Sequence, residues 1–316
     1  MRWRAGSWTL FLSILTICRT TVGVTDELRE AVHMADVQRV RFLLNLDPEK
    51  QTSRPPVIID HPKGDAENGR TAIMMCGMVG PEIGERGRDR LDQDCLLIAQ
   101  LLEQKGANLT FVDNKGWDVL SMAAVRGFTQ LSAYIVSKGA PLDHPDNEGR
   151  TPLMKAAFHG HLDTFRMLLQ RGANVSRADG GGLTAPHFAT MFALQNPAHL
   201  DHLKGVVEGL QAAIDLVDSE GRTCLMYAAI SADREVVRIL LGVGADPRKV
   251  DRFNIPATAM SGGEVGLMLQ DGAIALTERE HVAWLAVDRK IPSVHSKKPS
   301  KPKKTKEPKE PISDEF

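Results

Sequence analysis

One grammar of 33 residues is written three times in the middle of this chain. Asp113, Asp146 and Asp218 open segments that close at Pro145, Ala178 and Val250, each 33 residues long. Each segment begins with a polar turn ending in Gly116, Gly149 or Gly221, continues through two apolar runs, and reaches Gly139-Ala140, Gly172-Ala173 or Gly244-Ala245. In the segment 146–178, Leu153, Ala156 and Ala157 give a short first helix with a small-residue face, which lets a neighbouring helix approach closely. Leu162, Phe165, Leu168 and Leu169 give a second helix with apolar residues at helical spacing, and Gly172 suits a left-handed end. Neither helix can bury its apolar face alone, so the units must stack into a solenoid.

These residues resemble ankyrin repeats. Thr151-Pro152-Leu153 matches the T-P-L-H-x-A opening of that family, with Met154 and Met226 standing where it usually has His. The resemblance implies an all-α solenoid of about six helix-turn-helix units joined by β-hairpin loops, with a concave surface for a protein partner. Three units are less regular. Residues 179–217 keep Asp179, Gly182, Thr184 and His187, then carry extra residues around Asn196 before a second helix expected over Leu203 to Ala213. Residues 66–112 keep Gly69, Thr71 and Gly106-Ala107, with an insertion read from Gly80 to Asp94 between the two helices. Residues 251–273, with Asn254 in place of Gly, suit a C-terminal cap, and 26–47 read as an N-terminal cap.

Composition fixes what lies outside the repeats. The chain has 316 residues and a formal net charge of −1, which excludes a globally basic nucleic-acid binder. The ends are basic: 1–24 carries +3 and 296–316 carries +3, which leaves −7 over 25–295. Arg2 and Arg4 precede the uncharged block Trp8 to Ile17, too short to span a bilayer, so 1–23 reads as a secretory signal peptide cut after Gly23. A mitochondrial transit peptide is the rival, and a cytoplasmic location has the family's habit behind it. The mature chain then divides into repeats over 24–273, a terminal helix in 274–295 capped by Thr277, and a disordered Lys/Pro-rich tail over 296–316. Ser313–Phe316 is a relaxed form of the endoplasmic-reticulum retention signal.

No nucleophile, acid–base pair or metal-ligand spacing stands out. His159-Gly160-His161 reads as the turn between helices, Gly180-Gly181-Gly182 as a turn tip, and Met74, Met75, Met78, Met154 and Met226 as packing between units. No metal site and no cofactor is expected. Cys76 and Cys95 flank the insertion, either as a bridge or as two buried thiols. Asn108-Leu109-Thr110 and Asn174-Val175-Ser176 are glycosylation patterns. The fifth position of successive units holds Arg70, Trp117, Arg150, Leu183 and Arg222. Trp with Arg is the composition of interface hot spots, so Arg70, Trp117, Arg150 and Arg222, with Lys115, Glu148 and Glu220 beside them, are the expected partner-binding residues. The functional expectation is a non-enzymatic adaptor. The alternatives are a structural subunit tethered by the basic tail, or an enzyme using the 80–94 insertion.

Overall fold

The structure, a computed structural model, describes residues 27–44, 69–76 and 85–288. The signal segment, the lysine tail, Met78 and the first part of the expected insertion lie outside the described residues. The chain divides into one compact unit up to Ala273 and a second from Ile274.

Local chemistry starts each inner helix in the first unit. At the sixth position of a repeat, Asp118 accepts the Ser121 amide at 2.7 Å, and the Thr151 and Thr223 hydroxyls accept the amides of Met154 and Met226, each at 3.4 Å. Such caps satisfy amides that the first helical turn leaves unpaired. Pro152 and Pro186 stand at the start of their helices, where no partner is needed for the missing N–H. The inner helices are α3 (Ala72–Cys76), α5 (Val119–Arg126), α7 (Pro152–Phe158), α9 (Ala185–Gln195), α11 (Cys224–Ile230) and α13 (Ala257–Met260). They pack one on the next in a row. The outer row is α2 (Val37–Leu43), α4 (Glu85–Gln104), α6 (Thr129–Ser137), α8 (Leu162–Gln170), α10 (Leu200–Val207) and α12 (Arg234–Val243). Helical residues 27–33 (α1) precede α2, with Arg39 of α2 3.7 Å from Glu30.

The core runs between the rows. Leu120, Leu153, Leu225, Phe165, Leu168 and Leu240 are fully buried, each burial stabilising by roughly 1.5–3 kcal/mol relative to exposure. The fourth position of the turn requires a left-handed backbone, with φ of 82° at Gly149 and 63° at Asn254. Asn tolerates that region, which is why the last unit survives without the glycine.

Four expectations need correction. The loops are not β-hairpins: among the described residues there is no strand, only a single antiparallel bridge between Val250 and Pro256. Each loop is a tight turn closed by two backbone bonds, such as Asp146 N to Arg150 O at 3.0 Å and Gly149 N to Asp146 O at 2.8 Å, and Asp146 turns its carboxylate inward to hold the Glu148 and Arg150 amides at 3.0 and 2.8 Å. Residues 85–94 are not loop but the first half of the 20-residue α4. The helix expected over Leu203 to Ala213 ends at Val207, and Gln211–Ala213 is a separate 3-10 turn. Gly205 lies within it, where an added Cβ would meet Leu162 at 2.6 Å, and Gly209 follows its end; both residues weaken a helix interior. Finally, Thr277 is not an N-cap, because it lies inside the continuous helix α14 (Gly263–Asp288). Its described second-unit part is 274–288.

Candidate binding face

The turn tips are spliced to one another by the backbone. The amides of Asn147, Gly180, Ser219 and Arg252 donate to the carbonyls of Lys115, Glu148, Gly181 and Glu220 at 3.0, 2.8, 3.0 and 2.9 Å. One bond per junction, always from position two to position three of the preceding unit, sets the register of the edge. It leaves no room for a side chain at position four: a Cβ on Gly149 would come 2.8 Å from Gly180 N, and one on Gly182 2.4 Å from Ser219 N.

Position five is tied down. Arg150 Nε lies 3.2 Å from Asp146, Arg222 Nε 3.4 Å from Asp218, and Arg70 Nε 3.2 Å from Asp113 of the next unit. Trp117 is half-buried, with the Lys155 ammonium 4.4 Å from its ring centre. The expected stripe of protruding side chains is therefore a row of partly buried ones. The groups that stand out are at position three, where Lys115 and Glu148 are exposed and Glu220 is half-exposed.

Lys155 went unremarked in the sequence reading. Its side chain is 4% exposed, and its Nζ pairs with Asp146 Oδ2 at 3.1 Å and lies over the Trp117 ring. Burial pushes its pKa down, against the pull of Asp146. The available signal was one lysine inside the otherwise apolar helix PLMKAAF. Asp92 was missed for another reason. It is 4% exposed and accepts the Gln130 and Leu131 amides at 2.8 and 2.9 Å, capping α6 from the neighbouring unit. Burial raises its pKa against the opposing pull of those amides.

The histidines lock units together. Nε2 of His161, His187 and His202 donates to the carbonyls of Val125, Arg222 and Ala157 at 2.8, 3.1 and 2.9 Å. His187 Nδ1 accepts from the Thr184 hydroxyl at 2.9 Å, and the Met154 sulfur takes the Thr151 amide at 3.4 Å in the equivalent place. Burial drops His161 to about 4, so it is neutral at physiological pH.

Family models for ankyrin repeats match residues 91–179, as three copies, and residues 220–252. The chain carries ankyrin repeats. No match to it is found among the curated proteins. Ankyrin repeats are generally protein–protein interaction modules and typically non-enzymatic. No helix among the described residues is long and apolar enough to cross a membrane.

The remaining expected residues find places in the ankyrin stack. Cys76 and Cys95 are brought together as free, buried thiols, Cys95 Sγ lying 3.5 Å from the Cys76 carbonyl. The hydrogen bond with Cys95, then burial, holds the Cys76 thiol well above its usual range. Asn108 and Asn174 are both exposed, each just after a buried Ala. Asn108 Oδ1 accepts the Thr110 amide and hydroxyl, both at 2.8 Å, while the Asn174 amide is held by Asp143 at 3.0 Å. Met74, Met154 and Met226 are buried between units as expected.

Proposed function

We propose that this chain is a non-enzymatic adaptor whose turn tips and inner-helix face hold a protein partner. The spliced tip row carries the reading: fixed by four backbone bonds among the described residues, it presents the Lys115 and Glu148 side chains on a rigid edge. Rigid presentation lowers the ordering cost of binding. Glu220, paired with Arg252 at 2.6 Å, and Arg70, Arg150 and Arg222, held by their aspartates, give that edge its charge pattern. The histidines support a structural rather than catalytic use, since His161, His187 and His202 spend Nε2 on backbone carbonyls.

The test is a photocrosslinker, benzoylphenylalanine, in place of Lys115. It should yield a discrete protein adduct that weakens at least tenfold when Trp117→Ala and Arg150→Ala are added. An adduct unchanged by that pair, in a variant with unchanged circular dichroism, would sink the reading.

We propose further that the adaptor works in the secretory route, on the strength of the Trp8 to Ile17 block behind Arg2 and Arg4. The exposed Asn108 and Asn174 are consistent with modification there. A native N-terminus near Val24 and a mobility shift on glycosidase treatment are expected. An intact Met1 with no shift places the repeats in the cytosol.

A further inference from the structure

Among the described residues three cysteines are free thiols, and all three are fully buried. Their surroundings differ. Cys224 stands at the start of α11, its Sγ donating to the Ile214 carbonyl at 3.2 Å, and burial pushes its thiol up to about 12. It is a small core side chain with its hydrogen placed. Cys76 and Cys95 instead meet within the unit 66–112, one at the last residue of α3 and one inside α4. Cys95 Sγ donates to the Cys76 carbonyl at 3.5 Å, and the Cys76 thiol is held up first by its hydrogen bond with Cys95 and then by burial. Packing of α3 on α4 has brought together two thiols that stand 19 residues apart in the chain.

Their place in the stack gives the pair a consequence. Units of a solenoid are held by their neighbours, so the terminal ones open most easily. Here α2 packs on α4 from one side, and α5 and α6 pack on α3 and α4 from the other. Asp92, which caps α6 through the Gln130 and Leu131 amides, lies three residues before Cys95 on the same helix face. A covalent link from α3 to Cys95 therefore holds the helix that carries this cap.

We propose that Cys76 and Cys95 are a redox pair that closes to a disulfide and staples α3 to α4. The co-reactant is a small-molecule or protein disulfide, the class to which oxidised glutathione belongs. One cysteine, as its thiolate, attacks a sulfur of that disulfide and expels a thiolate, leaving a mixed disulfide. The other, as its thiolate, attacks the protein-side sulfur, forms the Cys76–Cys95 bond and expels the second thiolate. The two protein thiols give up two electrons and two protons, and the co-reactant leaves as two thiols. Both steps need a thiolate, and the packed unit disfavours one at Cys76. Closure therefore takes place while the unit is open, during folding or local unfolding, and the refolded core then shields the bond. The bond closes a loop of 20 residues, Cys76 through Cys95, and removes that freedom from the unfolded chain. The pair is a property of the chain itself and rests on neither the adaptor nor the secretory reading.

Peptide mapping on the full chain tests this. The chain is refolded in a buffer of oxidised and reduced glutathione, alkylated unreduced in denaturant, and cut with trypsin. Arg86, Arg88 and Arg90 separate the two cysteines, so a bridge joins peptides 71–86 and 91–105. The joined pair should be the main form of both peptides and should vanish on reduction, with Cys224 recovered alkylated. The bridged chain should melt about 5–10 °C above the reduced chain. Cys76→Ala with Cys95→Ala should lose that difference, whereas Cys224→Ala should keep it. Recovery of both peptides singly alkylated from a chain with native circular dichroism, or a bridge from either cysteine to Cys18 or Cys224, overturns the proposal. So does a melting difference that survives removal of the pair. If the chain bridges on refolding but is isolated from its cell fully reduced, the redox pair stands and the secretory reading falls.

Discussion

Units 146–178 and 218–250 share Asp, Gly, Arg, Thr, Leu and Met at positions one, four, five, six, eight and nine. They part at position ten, where the first has Lys155 and the second Tyr227. In both, the first-position aspartate turns inward and closes the turn. Asp218 then meets a phenol, Tyr227 Oη donating at 2.5 Å, with Arg222 Nε 3.4 Å from the same carboxylate. Asp146 meets a buried ammonium, Lys155 Nζ, at 3.1 Å. Burial opposes ionisation of each aspartate and is outweighed, by the Arg150 amide and Lys155 in one unit and by the Tyr227 hydroxyl and the Arg222 amide in the other. The two units therefore hold the same backbone with different chemistry. Lys155 and the Trp117 ring line a cavity of about 100 Å³ in the first. The fold is indifferent to position ten, so position ten is where a repeat can be specialised.

The sharpest way to break the comparison is to neutralise each aspartate. Asp146→Asn leaves a buried ammonium without its counter-charge and should cost about 3–5 kcal/mol in urea unfolding. Asp218→Asn keeps a hydroxyl acceptor and should cost about 1–3 kcal/mol. Equal losses would mean the ammonium is not the distinguishing feature. Adding Lys155→Met to Asp146→Asn should recover most of the loss, since removing both partners of a buried pair is often neutral or stabilising.

A smaller effect separates the regular tip from the degenerate one. Gly182→Ala puts a Cβ 2.4 Å from Ser219 N at a φ of 81°, where both backbones are held by the splice, and should cost about 2–3 kcal/mol. Asn254→Gly, at a φ of 63°, should change stability by less than about 1 kcal/mol. A melting-temperature series on the pair decides whether the splice, rather than glycine itself, sets the demand.

The smallest effect is at alkaline pH and has opposite signs in the two units. Tyr227 is pushed up to about 12 by burial and by Asp218. Its folded pKa exceeds its unfolded value near 10, so its contribution is complete below pH 10 and is lost as pH rises through about 12. Lys155 is shifted down by burial, so the unfolded chain holds more protons and stability rises with pH until the ordinary lysine value is passed. Between pH 9 and 10, unfolding curves should therefore show Lys155→Met removing a rise. Between pH 10 and 12, Tyr227→Phe should remove a fall. The same slope in both variants would erase the distinction.

Much of the fold was legible because its demands are local. A left-handed turn asks for Gly149 or Asn254, a helix start asks for Thr151 or Asp118, and a helix row asks for Leu153, Ala156 and Ala157; each is visible within a few residues. The site was legible only in outline. Trp117 and Arg150 were found at the tip by their spacing, but their exposure was misjudged. Whether a fifth-position side chain protrudes depends on what stands at positions one and ten. The 80–94 segment was read as an insertion because its charges hide its helical period, and the cap that Asp92 supplies to α6 depends on a residue 38 positions away.

The sequence by itself determined the period, the helix pairs and the turns, because short-range hydrogen bonds and apolar spacing recur in every unit. Only the tertiary structure decided which side chains became a surface. Stacking placed the Trp117 ring over Lys155 and carried the start of α4 to Val125. It put Arg88, Arg126, Arg150 and Lys155 around adjoining cavities. Burial and electrostatic field at that face come from four different helices and loops. No stretch of sequence contains them together.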